Sequence, residues 1–284
     1  MFPILDARWL ASDVKWLRIE APLVARHRQP GQFVIVRCDD DSERIPLTIA
    51  DSDAGLGHIE LIVKAVGKST IELCRRGAGD SIRDVMGPLG KPTEISRFGR
   101  AVVVGGGVGT AVIYPLARAL RDAGNHVIAI SGGRTRELVM LEAELRGVCQ
   151  ELLICTDDGS YGSRGTVADR LSQLIADGAK IDVVYAAGPV PMMRAVVAIT
   201  KQANIHTIVS LNPIMVDGTG MCGGCRVTVG GKMRFACVDG PEFDGRQVDF
   251  DELADRLTAY RDQEKESLRR MEAECQTATP VKTQ

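Results

Sequence analysis

The chain has 284 residues, 45% of them hydrophobic and 25% charged, which is ordinary for globular proteins and long enough for about two domains. The formal net charge is only −2 and aromatic residues make up 4%, so neither a nucleic-acid-binding nor a polybasic membrane-binding surface is expected. No stretch approaches the ~20 apolar residues of a membrane span, and the N-terminus does not resemble a signal peptide. With eight cysteines, the sequence predicts a cytoplasmic protein that holds a metal or cluster.

Residues 1–97 are predicted to form a small antiparallel β-barrel. Segments 33–38 and 58–66 are rich in β-branched residues and are bounded by Gly, Asp and Pro. Short strands at regular spacing are typical of a barrel, and one short helix is expected from about Ser69 to Arg76.

Two motifs in this first domain are candidates for anion binding. Arg44-Ile-Pro-Leu-Thr contains an arginine whose fork suits a pyrophosphate. Gly67-Lys-Ser-Thr precedes the short helix, so its backbone N–H groups would face an anion. Each motif is weak alone, because Arg44 is also compatible with a plain surface residue and Ser69 with a helix cap.

Residues 98–211 are predicted to form an α/β domain. Strands alternate with helices, and this alternation predicts a parallel sheet with helices on both faces. Strands are expected near 101–104, 126–130, 151–155, 182–187 and 206–211, and helices near 110–120, 137–148, 167–176 and 191–202.

A glycine loop, Gly105-Gly-Gly-Val-Gly-Thr-Ala, joins the first strand of this domain to its first helix. That context places backbone N–H groups against a phosphate. The loop departs from the standard dinucleotide motif, because Thr110 occupies the third glycine position. Loops 156–162 and 187–193 follow two other strands. Since ligands bind outside the carboxyl ends of such strands, the three loops together predict a nucleotide site, although each is also compatible with an ordinary turn.

Charged residues near this sheet edge favour different nucleotides. Asp157 and Asp158 would accept hydrogen bonds from ribose hydroxyls, which favours NAD(H). Arg134 and Arg136 would pair with a 2′-phosphate, which favours NADP(H). The residues alone leave both open.

Residues 212–250 contain the spacing Asp217-x4-Cys222-x2-Cys225-x11-Cys237. Plant-type 2Fe–2S proteins use Cys-x4-Cys-x2-Cys with a distant fourth cysteine, so this chain matches that frame with Asp217 in the first position. A zinc site and a redox disulfide are the alternatives. Cys275 is another candidate for the fourth ligand, in which case Asp217 would only cap the turn.

The remaining cysteines and the C-terminus have simpler interpretations. The other thiols show no ligand spacing and are expected to be buried hydrophobes: Cys38, Cys74, Cys149 and Cys155. Residues 251–284 are predicted as one helix, to about residue 275, and a frayed tail. The helix has few apolar positions, so it is either solvated or a partner-docking arm. Its expected i,i+4 pairs are Glu252 with Arg256 and Glu266 with Arg270.

Together these motifs resemble the ferredoxin–NADP reductase superfamily over essentially the whole chain. The order is Arg-x-Pro-x-Thr in a barrel, Gly-Gly-Gly-x-Gly-x-Ala in a nucleotide domain, Gly-Pro-x-Pro-Met-Met, then a C-terminal cluster. Within it, the last segment is similar to the electron-transfer subunits of dihydroorotate dehydrogenase. Asn212-Pro-Ile-Met-Val-Asp, with aspartate replacing the first cysteine, is more similar to the small subunits of NADH-dependent reduced ferredoxin:NADP+ oxidoreductases, also known as sulfide dehydrogenase subunits.

The resemblance implies FAD in the barrel, a 2Fe–2S cluster, and NAD(H) rather than NADP(H). Arg44 would contact the FAD pyrophosphate. The rest of the flavin site would be Pro46, Leu47 and Thr48 along the ring, with Ile62, Val63, Gly67, Ser69 and Thr70. The nucleotide would contact Gly106, Gly107, Val108, Gly109 and Thr110, with Arg134, Asp157, Asp158, Gly188 and Pro189 nearby. The cluster ligands would be Asp217, Cys222, Cys225 and Cys237.

The implied activity is electron transfer among NAD(P)H, FAD and the cluster, to or from a larger flavoprotein subunit with 4Fe–4S clusters, and indirectly with ferredoxin. Whether the complex bifurcates electrons is left open. Hydride transfer needs no general base, so the four scattered histidines are interpreted as structural. A dihydroorotate dehydrogenase subunit is one alternative, against which Asp217 argues because that subunit has cysteine there. A non-catalytic nucleotide-binding redox or zinc sensor is the other.

Overall fold

The computed structural model describes the backbone of residues 1–277 and side chains up to residue 273. Its first part is a seven-stranded antiparallel sheet in the order β6-β1-β2-β5-β4-β3-β7. The strands are β1 (Phe2–Ala11), β2 (Val14–Glu20), β3 (Phe33–Arg37), β4 (Ile45–Asp53), β5 (His58–Lys64), β6 (Ser81–Ile82) and β7 (Asp84–Leu89). Helix α1 spans Pro22–His27 and α2 spans Lys68–Arg75.

This sheet is curled into the predicted barrel. Strands β6 and β7 lie at opposite edges of the sheet, yet only Arg83 separates them in the chain. The two edges must therefore meet, which closes the sheet around an apolar interior. That interior is filled by inward-facing side chains at alternate strand positions, such as Leu17, Val34 and Leu61, and by Leu73 of α2.

The second part is a doubly wound sheet in the order β11-β10-β9-β8-β12-β13-β16. Its strands are β8 (Arg100–Gly106), β9 (His126–Gly133), β10 (Glu151–Thr156), β11 (Ser163–Arg164), β12 (Val183–Ala187), β13 (His206–Ser210) and β16 (Glu242–Asp244). Its helices are α3 (Thr110–Asp122), α4 (Glu142–Val148), α5 (Val167–Ala176) and α6 (Val190–Gln202). The predicted parallel sheet is confirmed, and β16 adds an antiparallel edge strand that the sequence pattern did not predict.

The predicted start of the helix at residue 137 is wrong. Residues Arg136–Leu138 form a short 3-10 turn instead, and α4 begins at Glu142. Leu141 has a φ of 56°, which lies in the left-handed region, so a continuous α-helix cannot pass through it.

The third part holds the cysteine segment and the C-terminal helices. It contains a hairpin of β14 (Arg226–Val229) and β15 (Lys232–Phe235), followed by α7 (Ala236–Asp239), α8 (Phe250–Arg256) and α9 (Arg261–Thr277). The predicted single helix from residue 251 is thus two helices. The break follows Arg256, where the Thr258 N–H and hydroxyl both donate to the Asp255 carbonyl at 3.0 and 2.7 Å and end the helix.

Helix α9 returns to the barrel, where it packs against α2. On α9, Met271 is 7% exposed. The helix is therefore neither wholly solvated nor a free arm. No helix in the described part of the chain is both long and apolar enough to cross a membrane.

Candidate cofactor-binding site

One row of side chains crosses the outer face of the barrel. Trp16 on β2 lies opposite Ile62 on β5. On the other side, Phe33 on β3 lies opposite Thr48 on β4 and Leu89 on β7. Strand β4 pairs with β5 through its second half and with β3 through its first half, so Thr48 lies where the strand passes from one partner to the other.

Only some of the predicted flavin residues turn their side chains toward this face. Pro46 lies opposite Ile35, whose side chain packs outside the barrel, and Thr48 lies two residues further along β4 on the same face. Leu47 and Val63 alternate inward and pack with the barrel core. These two residues can therefore offer a ligand only their backbone groups.

The residues predicted to bind an anion lie beside the start of β4. Arg44 is exposed and lines a cavity of about 700 Å³. Helix α2 begins after Gly67, whose N–H donates to Thr70 Oγ1 at 3.0 Å. The Ser69 hydroxyl donates to Glu43 Oε2 at 3.0 Å. The Glu43 carboxylate thus already accepts from a hydroxyl that a phosphate bound at this helix start would use.

The candidate nucleotide loop, residues 105–111, contacts both the barrel and the loop that follows β12. Val108 packs against a cluster of side chains that contains Trp16 and Ile62. A Cβ atom added at Gly109 would lie 2.1 Å from the Ala187 carbonyl oxygen, so only glycine permits this approach. A Cβ atom added at Gly106 would lie 2.4 Å from Met192 Sδ, and one added at Gly188 would lie 2.8 Å from the same atom. The loop with Gly106 and Gly107 is therefore in contact with the loop that contains Gly188 and Pro189.

The side chain of Thr110 points into the protein, away from the surface where a nucleotide would bind. Its side chain is 1% exposed, and its hydroxyl lies 3.2 Å from the Ser131 hydroxyl, within hydrogen-bond distance. The threonine at the third glycine position thus fills the space between α3 and β9.

The charged residues at the next two strand ends are only partly free. Asp157 and Asp158 are exposed after β10, and Arg134 is exposed after β9. The Ser160 hydroxyl and N–H donate to Asp158 Oδ1 at 2.7 and 2.9 Å, which lowers the pKa of that carboxyl. Arg136 lies over the Tyr161 ring, 5.1 Å from its centroid. Asp157 has no side-chain hydrogen bond within the described residues, so its carboxylate is available to a ligand.

The four predicted cluster ligands fall into two pairs. Cys225 and Cys237 are buried free thiols with their Sγ atoms 3.1 Å apart, and burial raises the pKa of Cys237 to about 12. Cys222 is exposed, and its N–H donates to Asp217 Oδ2 at 2.7 Å. Asp217 also accepts from the Thr219 N–H at 2.8 Å. The bond from Thr219, and to a smaller extent the bond from Cys222, lowers the pKa of the Asp217 carboxyl.

Within the described side chains, no group of three or more Cys, His, Asp or Glu is arranged around a single metal position. The donor set nevertheless fits an iron–sulfur cluster, since one segment supplies three thiols and a carboxylate. Backbone N–H groups also point at sulfur: Gly224 N lies 3.4 Å from Cys222 Sγ, and Cys237 N lies 3.5 Å from Cys225 Sγ. The side chain of Cys275 lies outside the described residues.

The cysteine segment lies against the barrel row. A Cβ atom added at Gly218, which has a φ of 74°, would lie 2.7 Å from Leu89 Cδ1 and 2.9 Å from Ile35 Cγ1. The loop that carries Asp217 is therefore in contact with the outer face of β3 and β7.

Several contacts at the site were not predicted from the sequence. The Arg118 guanidinium on α3 donates to both carboxylate oxygens of Asp51 on β4, at 2.9 and 2.5 Å. Arg256 donates to the Gly224 carbonyl at 3.1 Å, so its expected pairing with Glu252 is wrong.

The expected pair of Glu266 and Arg270 is present at 2.9 Å. Among the other thiols, Cys38, Cys74 and Cys155 are buried as predicted, and Cys149 is partly buried.

Known proteins are similar to this chain in sequence. Residues 212–249 match the model of the iron–sulfur cluster binding domain of dihydroorotate dehydrogenase B. A relative from Thermotoga maritima, named dihydroorotate dehydrogenase B (NAD(+)), electron transfer subunit homolog, is 48% identical over 92% of each chain. The electron transfer subunit of dihydroorotate dehydrogenase B from Geobacillus thermodenitrificans is 34% identical over 86% of this chain and 96% of its own.

The same similarity appears among solved structures. A chain from the structure of an NADH-dependent reduced ferredoxin-NADP oxidoreductase, studied for flavin-based electron bifurcation, is 46% identical and superimposes with a TM-score of 0.91. The superposition covers 95% of this chain and 98% of that one. Phthalate dioxygenase reductase, with a TM-score of 0.61 and 16% identity, shares the fold.

Proposed function

Because the chain belongs to the family of dihydroorotate dehydrogenase B electron-transfer subunits and their homologues, we propose that it carries electrons among NAD(H), FAD and a 2Fe–2S cluster and exchanges them with a larger partner subunit. The partner would be a flavoprotein with 4Fe–4S clusters that in turn serves ferredoxin. We also propose a cytoplasmic location, which the seven free thiols among the described side chains support.

The observation that carries this proposal is the order of three candidate sites across the barrel face. The nucleotide loop, through Val108, packs beside Trp16 and Ile62 at the β2–β5 side. The cysteine segment, through Gly218, lies against Leu89 at the β7 side. Thr48 and the other outward-facing flavin candidates lie between them. An electron carrier placed in the middle would thus lie next to both the nucleotide and the cluster.

The residues of this chain would bind FAD and the dinucleotide, orient them and shield them. FAD supplies two-electron chemistry with the nucleotide and one-electron chemistry with the cluster when it is bound. Arg44 and the start of α2 would hold its pyrophosphate, and Pro46 and Thr48 would set the position of its ring. The Gly109 and Gly188 loops would hold the dinucleotide so that its nicotinamide faces the ring, since such transfer requires close and aligned reactants.

NAD(H) is the nucleotide we propose. The free Asp157 carboxylate can accept from ribose hydroxyls, and it would repel a 2′-phosphate. Arg136, a candidate partner for that phosphate, instead lies over Tyr161. The names of the dihydroorotate dehydrogenase relatives also specify NAD(+).

A loop-contact variant tests the nucleotide half of the proposal. In Gly109→Ala, the new Cβ would collide with the Ala187 carbonyl, so the two loops must separate. We expect anaerobic reduction of bound FAD by NADH to slow by roughly 100-fold, because displacements of about 1 Å have effects of this size, with flavin content unchanged. Gly147→Ala on α4 is the matched control, since nothing lies within 4 Å of its added Cβ. A wild-type rate in Gly109→Ala would contradict this site.

A second candidate function is electron transfer to a dihydroorotate dehydrogenase. The match of residues 212–249 to that enzyme's cluster domain favours it. Identification of the large subunit that co-purifies at native expression level separates the two. The same match supports iron–sulfur over zinc at the cysteine segment, and measurement of iron and acid-labile sulfide tests that choice.

A further inference from the structure

A partly buried arginine joins helix α8 to the cysteine segment. Arg256, the last residue of α8, donates from Nη2 to the carbonyl oxygen of Gly224 at 3.1 Å. Gly224 lies between Cys222 and Cys225. The Nε atom of Arg256 is buried and has no hydrogen-bond partner within the described residues. The guanidinium therefore binds the peptide group that leads directly into Cys225, within the segment that joins two candidate ligands.

Helix α8 is a firm support for this arginine. Its side chains Phe250 and Leu253 are buried in the same apolar cluster as Cys225 and Cys237. Its N-terminus is capped by Asp249, whose carboxylate accepts from the N–H groups of Asp251 and Glu252 at 3.1 and 2.9 Å. Motion of Arg256 relative to the cysteines would thus disturb a packed core.

The charge of Arg256 has no carboxylate partner in the described part of the chain. Glu252, one turn earlier on α8, accepts instead from the Thr228 N–H at 3.1 Å. A partly buried charge is screened less by water and salt than an exposed one. The bond to the Gly224 carbonyl also polarises the peptide group between Gly224 and Cys225, which makes the Cys225 N–H a stronger donor.

We propose that Arg256 is a positioning residue that fixes the Gly224–Cys225 peptide and favours the reduced state of the iron–sulfur cluster. The inference rests on the proposed function, which places that cluster at these cysteines. Nearby positive charge and N–H donors both stabilise the additional electron of a reduced cluster.

The reduction potential of the cluster tests this role. The full chain with its co-purifying partner is titrated by optical and EPR spectroscopy. In Arg256→Gln, we expect the ratio of reduced to oxidised cluster at a fixed ambient potential to fall roughly tenfold, a shift of ~59 mV for one electron. Arg256→Lys keeps the charge and loses the planar fork, so a smaller shift and an altered EPR line shape are expected.

Arg234→Gln is the matched control. Arg234 lies on β15 and is exposed, so the same net charge is lost where water screens it, and we expect little shift. A wild-type potential in Arg256→Gln, or an equal shift in Arg234→Gln, would overturn the inference. Should Arg256→Gln lose its iron, an unchanged potential and EPR signal in Arg256→Lys would overturn it as well. Absence of iron and sulfide from the wild-type protein would instead defeat the proposed function.

Discussion

Neighbouring residues at the start of β4 have opposite effects on an anion. Arg44 brings a positive charge to the candidate pyrophosphate site, whereas Glu43 places a carboxylate on the Ser69 hydroxyl, the donor that a phosphate would use. A pyrophosphate would have to displace that carboxylate. In the proposed flavin site, two adjacent side chains of opposite sign would therefore set the affinity for FAD.

We expect substitutions of these two residues to change FAD affinity in opposite directions. Glu43→Gln removes a competing and repelling charge, so FAD should bind up to about tenfold more tightly, ~1.4 kcal/mol. Arg44→Ala removes a charge-assisted contact and should weaken binding by about 1.5–3 kcal/mol. Equilibrium dialysis of the apoprotein with FAD measures both. Glu20→Gln, an exposed residue at the end of β2, is the control, and tighter binding in that variant would show a general charge effect.

Single elements were predicted well where the sequence pattern is local. Helix α5 occupies the predicted residues, and the five predicted strands of the parallel sheet are present as β8, β9, β10, β12 and β13, of which β8, β9 and β12 end in or directly before a glycine. Strand alternation alone would also have turned Leu47 and Val63 inward, away from the flavin face. By contrast, β16 has only three residues and forms through pairing with β13. The contact of Arg256 with Gly224 depends on how α8 packs, which no local spacing reveals.

The contact of α9 with α2 gives an element-scale prediction. Met271 is 7% exposed, so Met271→Ala should lower the free energy of unfolding by about 2 kcal/mol and expose α9 to protease. Met233→Ala is the control, because that side chain is 61% exposed on the β14–β15 hairpin and should change stability by less than about 0.5 kcal/mol. Chemical denaturation and limited proteolysis measure the two effects. Equal stability of both variants would mean that α9 does not stabilise the barrel.

Across the whole molecule, an ion pair between Asp51 and Arg118 holds the barrel to the nucleotide domain. Burial pushes the pKa of Asp51 up, but hydrogen bonds from Arg118 and the Ser52 N–H outweigh it and leave the pKa below its usual value. A depressed carboxyl pKa contributes stability above the unfolded value of about 3.9, and the contribution is lost as pH falls through the folded value. The two domains are thus held together most firmly at neutral pH.

Asp51→Asn should therefore lower the free energy of unfolding by about 2 kcal/mol between pH 5 and 8, with the difference shrinking below pH 4. The reduction of FAD by NADH should slow too, because the nucleotide loop and the flavin face lie on opposite domains. Unfolding curves across this pH range provide the test. Asp122→Asn removes the exposed pair with Arg121 and should have little effect, so a loss of similar size there would contradict the assignment.

The return of α9 to α2 also makes this contact strongly non-local. In the sequence the two helices flank the whole α/β domain, so a long stretch of chain must be brought together before they can meet. Contacts of this kind form slowly, because the entropy of closing a long loop has to be overcome first. The helix whose start forms the candidate flavin anion site therefore gains its final packing late in folding.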